Sequence, residues 1–272
     1  MFAKTPVVLS HVHGLNRTRN IRRKLLNSFV FRGVNRIVVC TKSVRDDVLV
    51  NNPSVCADKV IALENSVDFE KFSDVTISRE QARKRISVPD DAFIFGTIGR
   101  LAPTKGQSYL IQAFAKVKQQ LPKSRLLIVG TGRLANSLMA EAEKTGFGES
   151  INFLGHRDDI PSILKGLDVF ILPSVAEAFG LALAEAMSVG IPCISTEVGG
   201  IPEVTNGGET CILVPPKDSE VLAQAMINLA RTPREQIERR VKKGQDRIRR
   251  LYSHQIVREK LINLYETELH NH

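Results

Sequence analysis

The sequence predicts an α/β protein built on a doubly wound parallel sheet. Three observations carry that reading. From Phe93 to about Ala230, short apolar segments alternate with segments of helical period. The apolar segments are nearly continuous rather than alternating in polarity, as expected of strands covered on both faces by helices. A shorter set of the same kind occupies residues 1–66, separated by a polar, irregular stretch at 67–91 that ends in Val88-Pro89-Asp90-Asp91. The chain therefore divides into a partial sheet domain (1–66), a connection with a short helix (67–91), a complete Rossmann-like domain (92–232) and closing helices (233–272).

In the first part, Val7-Val8-Leu9 is a strand candidate, Arg22 to Phe31 reads as helix and Arg36 to Cys40 as strand. Ser43 is a candidate N-cap for a helix to Val50, with Asp46 and Asp47 in its first turn, and Val60 to Leu63 is a further strand. In the Rossmann-like part, the strands are Phe93–Ile98, Arg125–Val129, Ile151–Leu154, Val169–Leu172, Pro192–Thr196 and Cys211–Val214. Between them, residues 107–121 place Leu110, Phe114, Val117 and Leu121 at spacings of four, three and four, which is one helix face. Further helices are read at Leu134–Thr145, Ile160–Lys165 and Gly180–Ser188, and Asp218 caps another that runs to about Ala230. In the last helix, Val257, Leu261 and Leu264 form an apolar stripe that needs a surface to dock on.

Composition excludes several classes. The 272 residues are 43% hydrophobic and 25% charged, as in ordinary globular chains. No apolar run approaches the roughly 18 residues of a membrane span, and the N-terminal apolar run is too short for a signal peptide. Cys40, Cys56, Cys193 and Cys211 form no C-x-x-C pair, so reduced thiols and a cytoplasmic setting are expected, with no metal site. The net charge of +9 is concentrated. Residues 1–48 hold ten Lys/Arg against Asp46 and Asp47, and residues 239–250 hold seven against Asp246. Such patches suit phosphates, or they are solvated helix faces. Nucleic acid is not expected, because no binding motif is present and aromatics do not interleave with the basic runs.

Ligands of doubly wound sheets bind beyond the carboxyl ends of the strands. The loop after the first strand of the large domain, Gly99-Arg100-Leu101-Ala102-Pro103-Thr104-Lys105-Gly106, places two cations before a helix and reads as an anion site or a solvated loop. Gly130-Thr131-Gly132-Arg133-Leu134-Ala135 matches the dinucleotide pattern G-x-G-x-x-A. It follows the second strand rather than the first, and the next strand ends in Gly155-His156-Arg157 with no acid for a ribose, which argues against an NAD-dependent oxidoreductase. Pro173 to Ala186 is the most informative segment. Glu177 precedes a helix and Glu185 lies inside it, among Ala, Leu and Met. A carboxylate on such a face needs a partner, either polyol hydroxyls or an Arg or Lys. The backbone at Phe179-Gly180-Leu181 offers unpaired N–H groups to an anion.

Together these segments resemble the retaining GT-B glycosyltransferases of family GT4, the glycosyl transferases group 1 type. The match rests on Glu177 and Glu185 (E-x7-E), the Gly99-Arg100-Leu101…Lys105-Gly106 loop, Leu126 to Gly132, Phe153-Leu154-Gly155 and Glu197-Val198-Gly199-Gly200-Ile201-Pro202-Glu203. The resemblance implies a GT-B fold, with a complete C-terminal and a partial N-terminal Rossmann-like domain, and transfer of a sugar from a UDP- or GDP-sugar with retention and without a metal. It implies that Arg100 and Lys105 hold the pyrophosphate and that Glu177 binds sugar hydroxyls. It further implies that Gly99, Gly130, Gly132, Phe179, Gly180 and Leu181 line the donor, that Glu185 binds the ribose and that backbone at His156 and Arg157 faces the base. His13 would approach the donor sugar, with His11 as a rival.

Only some 65 residues stand where the family has a whole first domain, so exposed sheet edges and an uncovered apolar face are expected there. A catalytically idle nucleotide-sugar-binding subunit, docked on a partner chain that completes that sheet, is the alternative to an active enzyme. Arg17, Arg19, Arg22, Arg23 and Lys24 beside Leu25, Leu26, Phe29, Val30 and Phe31 fit an anionic membrane surface, or the outer face of a core helix. A lipid-linked or saccharide acceptor of cell-surface polysaccharide or lipopolysaccharide assembly would suit the first, at the inner face of the membrane.

Overall fold

The computed structural model describes residues 5–15, 26–27 and 29–270. Two parallel sheets organise it. The first joins β1 (Leu9–Val12), β2 (Arg36–Val39) and β3 (Val60–Ala62) in that order. The second contains β4 (Phe93–Ile98), β5 (Ser124–Val129), β6 (Ile151–Gly155), β7 (Val169–Leu172), β8 (Cys193–Thr196) and β9 (Ile212–Val214). Its order, β6-β5-β4-β7-β8-β9, starts in the middle, winds to one edge, then returns and winds to the other. The reversal falls between β4 and β7, where the loops leaving the two strands diverge and open a crevice.

Side chains alternate across this sheet with period two and feed two cores. Phe95, Leu126, Ile128 and Ile171 face α4 (Gln107–Gln120) and α9 (Ser219–Arg231). Ile94, Leu127, Val129, Phe170 and Leu172 face the other way, in a core that also contains Ile37, Val39, Val44 and Val48 of the first sheet and of α1 (Lys42–Asn51). The second core is thus continuous from one sheet to the other. Other helices among the described residues are α2 (Phe69–Ser73), α3 (Arg79–Arg85), α5 (Ala135–Lys144), α6 (Ile160–Gly166), α7 (Leu181–Val189), α8 (Ile201–Val204), α10 (Arg234–Tyr252) and α11 (His254–His270).

Several local expectations need correction. Strand β1 begins at Leu9, not Val7, because Val8 exchanges hydrogen bonds with Asn35 instead of joining the ladder. Helix α1 is capped by Thr41, whose Oγ1 accepts from Val44 N, so Asp46 and Asp47 fall beyond its first turn. The connection holds two short helices, α2 and α3, capped by Asp68 and Ser78; Ser78 and Gln81 close a reciprocal capping box. Strand β2 is covered on both faces, since Ile37, Val38 and Val39 are at most 2% exposed. Exposed apolar side chains gather instead before it, at Val8, Leu26, Phe29 and Val30. Leu26, Asn27, Phe29 and Val30 are helical, whereas Arg17, Arg19, Arg22, Arg23, Lys24 and Leu25 lie outside the described residues.

The tail returns to the first sheet. Val67 N donates to Tyr252 O (2.7 Å) and His254 N donates to Val67 O (3.1 Å). Lys260 pairs with Glu64 (2.9 Å) and Arg36 with Glu268 (2.7 Å). The face of α11 that carries Val257, Leu261 and Leu264 is buried or half-buried, and Glu268 continues it one turn on. The basic run of α10 buries only Gly244 and Ile248 before Tyr252, and most of its cations face solvent.

The connection is anchored by one buried cation. Arg83, 3% exposed, donates to Asp168 Oδ2 (2.6 Å) and to the carbonyls of Gly166, Asp90 and Ala92. Asp168 Oδ2 also accepts from Ile94 N at the start of β4 (2.7 Å). Four protein acceptors satisfy the guanidinium, so its burial incurs no unpaired charge.

Candidate functional site

Beyond the carboxyl ends of β4 and β7 lies a cavity of about 610 Å³, lined by Arg100, Lys105, Glu177, Gly180, Leu181 and Glu185, with Gly99 and Phe179 beside them. His13, Asn65 and Ser66 line it from the side of the first sheet. Loops following strands of both sheets therefore converge on one space.

The cation loop and the glutamate loop are tied together. After Gly99, one 3₁₀ turn (Pro103–Lys105) carries Lys105 into the space, and Thr104 O accepts from Val175 N (2.8 Å) and Ala176 N (3.3 Å). Lys105 Nζ lies 2.5 Å from Glu177 Oε2, which also accepts from Ser174 Oγ at 3.2 Å. Ser174 is fully buried, so this end of the glutamate loop is fixed. Arg100 is exposed, and its guanidinium makes no hydrogen bond or ion pair among the described residues. Among the described residues, the cavity thus presents one free cation, Arg100, and one paired one, Lys105.

The glutamate loop is braced from behind. Gly200 N donates to Glu177 O (3.2 Å), and Thr41 Oγ1 donates to Ala178 O (3.0 Å). Phe179 is buried, its ring edge-on to Tyr252 at 5.3 Å. Glu203 Oε2 accepts from Lys42 N, while Arg247 of α10 donates to Glu203 O and Val204 O. The Glu197–Glu203 segment thereby joins the glutamate loop, α1 and α10.

Gly180, at φ 89°, turns the chain into α7, whose first turn no side chain caps. The free N–H groups of that turn point toward the cavity end of the helix and favour an anion there. Glu185 lies one turn further along. It forms no ion pair or hydrogen bond among the described residues, and Lys71 acts on it only through its charge. Burial pushes its carboxyl up to about 7, and Lys71 only partly opposes this.

The structure separates the two histidines. His13 lines the cavity, with Asn65 Oδ1 3.1 Å from its Nδ1, whereas His11 stacks behind it at 5.6 Å and is not part of the lining. Burial and the neighbouring His13 hold His11 below its usual value. Gly130 and Gly132 do not line the cavity either. A Cβ on Gly130, at φ 127°, would stand 2.1 Å from Gly99 O, and Gly132 presses in the same way on the Leu101 backbone. These glycines let the second loop support the first. His156 and Arg157 are also outside the lining; their side chains pair with Asp158 and Asp159 at the surface. Asn65 and Ser66 are lining residues that the sequence reading passed over. Their signal was position, since they follow β3 at its carboxyl end.

Paired parallel sheets with a cleft at their facing carboxyl ends define the GT-B class, and the comparisons agree. Residues 78–247 match the model of the family described as glycosyl transferases group 1. The chain is 31% identical over 207 residues to the UDP-Gal:alpha-D-GlcNAc-diphosphoundecaprenol alpha-1,3-galactosyltransferase of Escherichia coli, covering 73% of this chain and 53% of that protein. It is 32% identical over 263 residues to the N-acetyl-alpha-D-glucosaminyl L-malate synthase of Bacillus anthracis, covering 96% and 66%. Among solved structures, an Anabaena protein in complex with UDP and glucose superposes with a TM-score of 0.85 at 21% identity, over 96% of this chain and 71% of that one. A glycosyltransferase from Rickettsia africae gives 0.85 at 22%, over 97% and 71%. The chain belongs to the glycosyl transferases group 1 family, GT4. It spans 53% to 66% of the length of these two curated relatives.

Proposed function

We propose that this chain binds a nucleotide-diphosphate sugar, UDP- or GDP-linked, in the cleft between its sheets and transfers the sugar to an acceptor with retention of configuration. One observation carries the reading: Arg100, Lys105, the uncapped start of α7, Glu177 and Glu185 converge on a single cavity that His13 closes from the other sheet. Arg100, Lys105 and the helix N-terminus hold the diphosphate and stabilise the charge that develops on it as the glycosidic bond breaks. Glu177 accepts hydrogen bonds from the sugar, Glu185 from the ribose, and His13 faces the sugar. In this reading residues 92–232 form the donor domain, 1–66 the acceptor side, 67–91 the connection and 233–272 the tail that packs back.

The acceptor is assigned to cell-surface polysaccharide or lipopolysaccharide assembly. The name of the Escherichia coli relative, which cites a diphosphoundecaprenol substrate, supports a lipid-linked acceptor. Leu26, Phe29 and Val30, exposed beside a basic sequence, would rest on an anionic membrane surface at its cytoplasmic face. No helix among the described residues is long and apolar enough to cross a membrane.

Calorimetric titration with UDP, GDP, ADP and NAD tests the reading. Saturable binding of UDP or GDP in preference to NAD is expected. Preference for NAD, or no binding by the folded chain, overturns it. Donor binding without transfer to any lipid-linked or saccharide acceptor would favour the idle-subunit alternative.

A further inference from the structure

Resting on the donor reading above, we infer that Lys105 and Glu177 exchange partners when the donor binds, and that this exchange makes the cleft favour the intact nucleotide sugar over the nucleoside diphosphate left after transfer. The two groups assigned to different parts of the donor are bonded to each other, Nζ to Oε2 at 2.5 Å. Both side chains are largely withdrawn from water, at 24% and 14% exposure, so neither is easily satisfied by solvent alone. A diphosphate brings two to three negative charges to Lys105 against the single charge of Glu177, and so displaces it. Glu177 then keeps only the Ser174 hydroxyl, at 3.2 Å.

What happens next depends on the ligand. Sugar hydroxyls restore hydrogen bonds to the freed carboxylate, so the intact donor satisfies both partners. A nucleoside diphosphate satisfies Lys105 alone and strands a largely buried carboxylate beside its own phosphates. Once the sugar has left, recapture of Lys105 by Glu177 works against the remaining diphosphate and assists its departure. Glu177 thereby acts on the diphosphate through Lys105, as a positioning residue, in addition to any contact with the sugar.

The test is a double-mutant cycle on the full chain, with UDP and UDP-glucose, or GDP and GDP-mannose, as paired calorimetric probes. Glu177→Gln keeps the shape and the Ser174 contact but removes the charge. It should tighten UDP or GDP by about three- to tenfold, while narrowing the advantage of the sugar nucleotide over the diphosphate. In a Lys105→Met background the same substitution should gain much less, because no ion pair remains to break. An equal gain in both backgrounds would mean simple charge repulsion and would overturn the exchange. Lys105→Met weakening the diphosphate while Glu177→Gln leaves it unchanged would overturn the exchange and leave the donor reading standing. A diphosphate indifferent to Lys105→Met, or no binding at all, would overturn both.

Discussion

The hydroxyl of Thr41 donates to the carbonyl of Ala178, 3.0 Å away and 137 residues further along the chain. The same oxygen accepts from Val44 N and caps α1. One fully buried side chain therefore starts a helix on the first sheet and holds the loop that carries Glu177 on the second. The bond ties the two sheets at the back of the cleft, where movement of either would change its width.

Thr41→Val preserves volume and removes both hydrogen bonds. A buried N–H (Val44) and a half-buried carbonyl (Ala178) then lose partners, and the protein should be destabilised by about 1–3 kcal/mol. The loop displacement should also weaken the sugar nucleotide. Urea denaturation with calorimetry checks both; an unchanged midpoint would show that water replaces the hydroxyl.

Gly199 allows no side chain. Its φ is 53°, and a Cβ there would stand 1.8 Å from Glu177 O, which is backbone and has no room to yield. Gly199→Ala should push the glutamate loop into the cleft and reduce sugar-nucleotide affinity at least tenfold, with a stability loss of about 1–3 kcal/mol. Donor affinity equal to that of the parent chain would show that the loop absorbs the shift.

The strands of the large sheet were legible to within about a residue, because β4, β5, β7 and β8 are covered on both faces and the edge strands β6 and β9 still carry short apolar runs. Phe93–Ile98 and Val169–Leu172 coincide with β4 and β7. Strand β1 was harder: its two middle residues, Ser10 and His11, are polar, as a strand at the sheet edge allows. The cap of α1 was misplaced because Thr41-Lys42-Ser43 offers two hydroxyls two residues apart, and only the fold decides which one caps the helix. The E-x7-E spacing pointed to the cavity, since a helix start and the turn beyond it face the same crevice. The Lys105–Glu177 bond was not legible, because 72 residues and two loops separate its partners. Nor was the supporting role of Gly130 and Gly132, since a glycine that admits a ligand and one that admits a neighbouring loop look alike in sequence.

Glu185 gives the cleft a pH dependence near neutrality. Its carboxyl rises from 4.5 to about 7 because burial disfavours the ionised form. An acid raised on folding holds its proton in the folded state while the unfolded state loses it. Stability should therefore fall as pH rises from about 4.5 to about 7, by on the order of 3 kcal/mol, and stay low above that. On the proposed donor reading, ribose hydroxyls donate to the ionised form, so nucleotide affinity should rise over the same range. Glu185→Gln should flatten both profiles, raise stability at pH 8 and weaken the nucleotide there. A nucleotide affinity that does not vary with pH in the parent chain would remove Glu185 from the ribose.

Arg36 and Glu268 fasten the last turn of α11 to the start of β2. Glu268 is 5% exposed and follows Val257, Leu261 and Leu264 on the inward face, so the stripe that docks the tail ends in a charge. Arg36 Nε reaches Glu268 Oε1 at 2.7 Å and its Nη1 donates to Asp58 O. Arg36→Met leaves the carboxylate buried without its cation and should cost about 3–5 kcal/mol at pH 7. The loss should shrink in acid, where the stranded carboxyl takes a proton. Replacing both partners, Arg36→Met with Glu268→Leu, extends the apolar stripe by one turn and should recover most of the stability, because no charge is left to desolvate. Recovery would mean that the pair fixes where the tail docks rather than how strongly. If the double variant stayed as unstable as Arg36→Met, the long Arg36 stem and its Asp58 bond, not the ion pair, would be what holds α11 to the sheet.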